Sequence, residues 1–156
     1  MEMEKKTLSC LLNNYSFIVP EIQREYVWGA KKNNHVLIQF LNDLNEKLKK
    51  GDANIGFLYS YSSGSEHYLI DGQQRYTTMI LLLHFLSKKE ESTTRNFIKL
   101  MRLDNTIPAF SYRVRTYTES FLTHLLKSNA TNEKEVKDQK WFKKEYLIDT
   151  TIVSML

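Results

Sequence analysis

The chain has 156 residues, of which 42% are hydrophobic and 26% are charged, with two prolines and five glycines. Disordered chains are poorer in apolar residues, and this length suits one hydrophobic core, so we expect a single domain over residues 1–156. The formal net charge of +4 assists contact with polyanions but is too small to identify one.

The sequence carries the signs of a cytoplasmic protein. Cys10 is the one cysteine and cannot form an internal disulfide, and no apolar leader follows the charged residues 1–6. Even the apolar run Met79–Leu83 is far shorter than the roughly 20 residues that cross a bilayer. We therefore expect no membrane partner.

The first third of the chain predicts a helix, a strand, a loop and a second helix. Thr7–Leu12 favours a short helix, and Tyr15–Val19 reads as a strand that ends at Pro20. A loop reaches Gly29. Apolar residues at helical spacing then predict an amphipathic helix, capped by Asn33 or Asn34 and closed by Lys49, Lys50 and Gly51.

A hairpin and a central helix follow. Ile55–Tyr61, which is rich in aromatic residues, and His67–Ile70 read as strands, and the segment 62–65 is rich in serine and glycine, which predicts the turn between them. The next helix is apolar on nearly all sides from Met79 to Leu86, so we expect it to be buried.

The rest of the chain is expected to be mostly helical. Phe97–Leu103 is helical or extended, Glu119–Lys127 predicts a helix, and Glu133–Tyr146 predicts another that Asn132 caps. The last residues, from Asp149, resemble a helix that stops abruptly, which is typical of a piece of a longer protein. The predicted fold class is α+β, with a small mixed sheet and a predominantly helical C-terminal half.

Several common kinds of site are disfavoured. The four histidines are isolated from one another and from Cys10, without the spacing of zinc ligands, and we expect no protein-bound metal cluster. Cys10 has no basic neighbour to lower its pKa, which argues against a nucleophilic role. The glycine-rich phosphate loop, the dinucleotide fingerprint and the nucleophile elbow are all absent from the sequence.

Two polar segments remain as candidate sites. The first is a strand-to-helix turn with the sequence Asp71-Gly72-Gln73-Gln74-Arg75. Such a turn leaves backbone N–H groups free, and arginine binds phosphate with a forked pair of donors. In one interpretation this turn binds phosphates, and Asp71 orients Arg75, binds a metal ion or polarises a water. In the other, Asp71 merely caps the helix and pairs with Arg75.

The second segment is the loop that ends at Gly29. It contains four side chains suited to binding a ligand, namely Gln23, Arg24, Tyr26 and Trp28. Polar and aromatic residues in a loop can form a binding surface. They can also serve as anchors at the edge of a core, and both interpretations stay open for this loop.

The two segments together resemble the N-terminal domain of GmrSD-type, modification-dependent restriction proteins. The resemblance rests on Gln-Arg-x-Tyr-x-Trp at residues 23–28 and on Asp-Gly-Gln-Gln-Arg-x-Thr-Thr at residues 71–78. It continues through residues 110–115 and 141–156, so it covers nearly the whole chain. It implies a fold similar to ParB and sulfiredoxin.

The resemblance also implies a function in defence against phage DNA. It implies binding of a nucleoside triphosphate (NTP) and its hydrolysis, with magnesium, at the catalytic residues Asp71, Gln74 and Arg75. The implied nucleotide-binding residues are Gln23, Arg24, Tyr26, Trp28, Gly72, Gln73, Thr77 and Thr78. In such relatives a separate HNH-type nuclease domain cuts DNA, and this chain has no His-Asn-His arrangement, so its expected partner is a nuclease domain or subunit.

Two alternative functions belong to classes other than enzymes. In the first, the domain is a non-enzymatic module that binds DNA or senses its modification through Arg24, Arg75, Arg113 and Arg115. In the second, it is a structural fragment that pairs with a missing half and binds no ligand.

Overall fold

A computed structural model describes residues 4–156, which form four strands, seven α-helices and two short 3-10 helices. The chain begins with α1 (Leu8–Asn14), β1 (Ser16–Val19) and α2 (Asn34–Lys49), followed by β2 (Tyr59–Ser63), β3 (Glu66–Asp71) and α3 (Gln73–Ser87). The remaining elements are α4 (Glu91–Leu100), β4 (Phe110–Tyr112), α5 (Thr116–Lys127), α6 (Glu133–Lys137) and α7 (Thr150–Met155). The 3-10 helices are Lys31–Asn33 and Lys144–Ile148.

The four strands form one mixed sheet in the order β2-β3-β1-β4. β1 runs parallel to both of its neighbours, whereas β2 and β3 are antiparallel and form a hairpin. After Asp71, β4 is the one strand in the described part of the chain, and helices make up most of the rest. The predicted α+β class, with its small mixed sheet and helical C-terminal half, is confirmed.

The core lies between the sheet and the helices that follow it. β3 and β4 contribute Leu69 and Phe110, and α3 contributes Tyr76 and Ile80, to a main apolar cluster. A second cluster lies between the C-terminal elements and contains Phe121, Leu125, Val136, Tyr146 and Ile152. Leu81 and Met155 pack against both clusters, so α3 and α7 join them.

Several predicted elements are confirmed, with shifted ends. The first helix, the first strand and the hairpin all form. The segment Phe97–Leu103, predicted as helical or extended, begins inside the helix α4, which runs from Glu91 to Leu100. β2, however, starts at Tyr59 and not at Ile55. The positive φ of 92° at Gly56 takes the backbone out of strand geometry there.

The expected helix Glu133–Tyr146 is wrong. α6 ends at Lys137, and a 3-10 helix begins at Lys144. Trp141 and Phe142 both contact the ring of Phe121, at centroid distances of 5.8 and 6.5 Å. Adjacent residues of an α-helix point about 100° apart, so the chain leaves the helix to place both rings on one neighbour.

The burial of the two central helices also differs from expectation. In α2 the single buried residue is Leu44, and Asn33 donates its side-chain amide to Val27 O in place of capping the helix. In α3 the buried residues are its polar start together with Tyr76, Ile80, His84 and Ser87. Phe85 and Leu86, by contrast, are 53% and 42% exposed. None of the helices in residues 4–156 is long and apolar enough to span a membrane.

Candidate functional site

The turn between β3 and α3 has a backbone shape that requires glycine. Gly72 has a φ of 87°, in the left-handed region. A Cβ at this position would also lie 2.6 Å from Leu58 Cδ2 and 2.8 Å from Phe57 O. β3 therefore passes into α3 through a tight turn that packs directly against the segment leading to β2.

No side chain caps the start of α3 within the described structure. Asp71 is exposed, accepts no hydrogen bond from the first turn of the helix and forms no salt bridge with Arg75. The interpretation in which Asp71 caps the helix and pairs with Arg75 is therefore wrong, and so is the idea that it orients Arg75. The first turn of α3, with its partial positive charge, therefore has no acidic side chain of its own and no side-chain cap from residues 4–156.

Arg75 lies half-buried against the backbone of two glycines. Its Nη2 donates to Phe57 O at 2.7 Å, and a Cβ on Gly56 or on Gly72 would lie 3.4 Å from atoms of the guanidinium group. Nε is buried and has no hydrogen-bond partner among residues 4–156, and no carboxylate there forms a salt bridge with this arginine. Arg75 is thus a positive charge held in place with free donor capacity.

Arg75 lines a cleft of about 430 Å³ between α2 and the segment that precedes β2. α2 supplies both polar and apolar groups to this cleft, and the facing wall is the irregular segment Asn54–Gly56. The residues around it are Phe40, Asp43, Leu44, Lys47, Asn54, Ile55, Gly56 and Arg75. Two cations and one carboxylate therefore face a partly apolar space.

Gln74 joins the turn to the Gln23–Trp28 loop. Its Oε1 accepts from Val27 N at 3.0 Å, and its Nε2 donates to Glu25 O at 2.8 Å. Both ends of this amide, which is 3% exposed, are therefore used in holding the loop.

A second link joins Tyr26 to Thr78. The Thr78 hydroxyl donates to Gln74 O at 2.9 Å, so Tyr26 Oη donates to Thr78 Oγ1, at 3.0 Å. Tyr26 is buried, and this burial raises the pKa of its phenol. The structure thus brings together the two motifs that the sequence pointed to.

The other predicted residues occupy three kinds of position. Trp28 packs at 5.3 Å from the ring of Phe40 and so supports the cleft wall, whereas Arg24 is exposed and Gln23 is half-buried in the turn that follows Pro20. Gln73 and Thr77 are buried at the start of α3. Among all the predicted site residues, Arg75 is the one that lines the cleft.

Arg113 and Arg115 are engaged in ion pairs. Arg113 donates to both carboxylate oxygens of Glu66, at 2.7 and 3.2 Å, and this pairing lowers the pKa of Glu66. Arg115 donates to Glu25, which also accepts from Thr150. The Gln23–Trp28 loop is therefore anchored on a second side, by the C-terminal part of the chain.

Sequence reasoning missed the α2 wall of the cleft. A lysine in the last turn of a helix, such as Lys47, is usually explained by the negative end of the helix dipole, and nothing in the sequence around Asp43 marks it as a ligand. A usable signal was the segment Asn54-Ile55-Gly56, where Asn54 Oδ1 accepts from Gly56 N at 2.8 Å. An asparagine two residues before a glycine is typical of a tight loop that lets other groups approach the backbone.

Comparison with known proteins identifies one family. The sequence model of "GmrSD restriction endonuclease, N-terminal domain" matches residues 8–154, which is nearly the whole chain. No curated protein and no solved structure matches, so the likeness to ParB and sulfiredoxin stays a prediction. The match includes both motifs that Gln74 joins and the whole of α2. The chain therefore belongs to the family of GmrSD restriction endonuclease N-terminal domains.

Proposed function

We propose that this restriction-system domain binds an NTP in the cleft beside Arg75 and hydrolyses it to control a nuclease domain or subunit. The observation that carries the proposal is that Arg75 is fixed in place without a neutralising partner among the described residues. Its guanidinium group is fixed by Phe57 O, lacks a carboxylate partner among the described residues and lines a cleft of about 430 Å³. Arg113 and Arg115 have carboxylate partners, and Arg102, which has none among residues 4–156, is not part of the cleft lining.

Three features favour a phosphate chain as the ligand. Arg75 offers a forked donor, and Lys47 adds a second positive charge on the opposite wall. Arg75 lies in the first turn of α3, which has no side-chain cap, so the positive end of the helix dipole adds to its charge. Phe40, supported by Trp28, and Ile55 give the same cleft apolar surface for a nucleobase.

The oxygen atoms that line the cleft are suitable ligands for a magnesium ion that arrives with the nucleotide. No group of three or more His, Cys, Asp or Glu side chains in residues 4–156 is arranged to hold a metal. Magnesium needs no such group, since it commonly binds one or two carboxylates together with phosphate oxygens and waters. Bound in this way, it would neutralise part of the phosphate charge during hydrolysis.

The catalytic residues predicted from the motif take different roles in this proposal. Arg75 binds phosphate and stabilises its charge. Asp71, which is exposed and unpaired within the described chain, is the proposed base that polarises the attacking water. Gln74 has both amide ends engaged and acts as a positioning residue that keeps the Gln23–Trp28 loop beside the turn. This loop carries Arg24, which forms no salt bridge within residues 4–156.

Thermal unfolding with each of ATP, GTP, CTP and UTP, with and without magnesium, tests the proposal. A ligand at 100 times its Kd stabilises the folded state by about 2.7 kcal/mol, or a Tm increase of roughly 5–10 °C for a chain of this size. Arg75→Ala should abolish the shift and the release of phosphate. Arg95→Ala is the matched control, because Arg95 lies exposed on α4 in a salt bridge with Glu91.

The outcome that contradicts the proposal is the absence of a shift with any nucleotide, or full phosphate release by Arg75→Ala. The alternative of direct DNA binding has less support. Arg113 and Arg115, two of its four arginines, already have carboxylate partners. A phosphate contact from either would have to replace an existing ion pair.

A further inference from the structure

We propose that α2 forms the second half of the nucleotide site, with Asp43 holding the magnesium ion carried by the triphosphate and Lys47 binding phosphate. This inference rests on the proposed nucleotide binding and assigns the metal to Asp43, not to the motif residue Asp71. Asp43 and Lys47 line the same cleft as Arg75, whereas Asp71 does not.

The first observation concerns the charges of α2. Asp43 precedes Lys47 by one helical turn, the spacing and order at which an acid and a base usually pair on a helix. They form no salt bridge here, and neither pairs with another charged side chain in the described chain. Lys47 instead makes a long contact of 3.4 Å to Asn54 O, across the cleft. Both charges are therefore free to meet a ligand.

The second observation concerns the oxygens available to a metal in the cleft. Asn54 Oδ1 already accepts from Gly56 N, Asn54 O from Lys47 and Phe57 O from Arg75. The Asp43 carboxylate accepts no hydrogen bond from residues 4–156 and is the one carboxylate among the lining residues. A hard cation in this cleft would find its protein ligand there.

The charges also predict the effect of the metal. Without a cation, Asp43 repels a phosphate chain bound between Lys47 and Arg75, because like charges at short range disfavour each other. With magnesium on the phosphates, the same carboxylate attracts the ligand. Asp43 should therefore make nucleotide binding depend on magnesium, whereas Lys47 should strengthen binding in either condition.

Isothermal titration calorimetry with ATP, GTP, CTP and UTP, in magnesium and in EDTA, measures this dependence directly. For the wild-type chain we expect at least one nucleotide to bind about tenfold tighter in magnesium. Asp43→Asn should reduce this ratio to below about threefold, with binding in EDTA unchanged or tighter. Glu46→Gln, which removes an exposed carboxylate of the same helix outside the cleft lining, should keep the full ratio.

Lys47→Gln should weaken binding by about tenfold in both conditions, and Lys50→Gln, an exposed lysine at the end of the same helix, should not. Circular dichroism establishes that each variant is folded. A magnesium effect that survives in Asp43→Asn, or is absent from the wild type, overturns the inference and leaves the proposed function intact. A wild-type chain that binds none of the four nucleotides overturns both.

Discussion

The side-chain carbonyl of Gln74 accepts a hydrogen bond from the backbone N–H of Val27 at 3.0 Å, across 47 residues of sequence. The same amide donates to Glu25 O at 2.8 Å. One buried side chain therefore satisfies a backbone donor and a backbone acceptor of the Gln23–Trp28 loop. These two hydrogen bonds determine where the loop lies relative to the first turn of α3. This contact makes the two sequence motifs a single structural unit.

Gln74→Ala should destabilise the chain by about 2–3 kcal/mol, because the Val27 N–H and the Glu25 carbonyl lose their partner. Gln74→Glu should be almost as damaging, since a carboxylate can accept from Val27 but would face the Glu25 carbonyl without a proton to donate. Urea unfolding of both variants measures the loss in free energy of unfolding.

Gln139→Ala is the matched control for this prediction. Gln139 also donates its amide to a backbone carbonyl, that of Glu135, but it lies two residues beyond the end of α6 and its hydrogen bond is exposed. The Gln139→Ala substitution should lower the free energy of unfolding by less than about 0.5 kcal/mol. Equal losses in Gln74→Ala and Gln139→Ala would show that Gln74 does not hold the loop.

Gly72→Ala should destabilise the chain more than Gly64→Ala, although both glycines have a positive φ, 87° and 61°. A Cβ at Gly64 meets nothing within 4 Å, so this variant should lose only about 1 kcal/mol for the backbone conformation. At Gly72 the Cβ also meets Leu58 and Phe57 O at under 3.0 Å, which should add about 1–3 kcal/mol. Thermal unfolding of the two variants side by side checks the difference, and similar Tm values would contradict it.

The sequence revealed the turn but not its contacts. Apolar periodicity and the glycine of residues 71–75 predicted a strand, a tight turn and a helix, because side-chain patterns record which faces are buried. Gln74 instead binds backbone atoms of Glu25 and Val27, and backbone atoms leave no trace in residue identity. The chemistry of an amide does not tell whether it meets a ligand or its own chain.

Asp43 and Lys47 were missed for a related reason. Charged residues on the polar side of an amphipathic helix usually face solvent, and the sequence alone does not show that Asn54–Gly56 folds back beside α2 to make a cleft. The prediction of a helix over Glu133–Tyr146 was wrong because helical spacing reflects only local preference. The packing of Trp141 and Phe142 on Phe121 is a tertiary contact that this spacing does not record.

Asp149→Ala should lower the free energy of unfolding by about 2–3 kcal/mol, because it removes bonds that hold the second apolar cluster together. The Asp149 carboxylate caps α7 by accepting from Thr151 N and Ile152 N, and it also accepts from the buried hydroxyl of Thr118. Asn132→Ala is the control, because Asn132 caps α6 with a single bond to Glu135 N at an exposed site. That variant should lose about 1 kcal/mol. Asp149 also lies 3.8 Å from Arg115 Nη1. Urea unfolding compares the two variants, and an equal loss would mean that the bond to Thr118 and the ion pair with Arg115 contribute nothing.

Acid should destabilise the chain through His84. This histidine is 5% exposed on α3, and both ring nitrogens lack a hydrogen-bond partner among the described residues. Burial lowers its pKa to about 4, from an ordinary value of 6.5, and the neighbouring charge of Lys88 acts in the same direction. Because the folded pKa is depressed, the unfolded chain binds a proton between pH 6.5 and pH 4 that the folded chain does not.

The stability associated with neutral His84 is therefore complete above pH 6.5 and is lost as the pH falls toward 4. Between pH 7.5 and pH 5 the wild-type chain should lose about 2 kcal/mol through this one group. His84→Leu should remove that part of the pH dependence, whereas His35→Gln, on the exposed start of α2, should keep it. Urea unfolding at the two pH values measures the slopes, and an unchanged slope in His84→Leu would refute the assignment to His84.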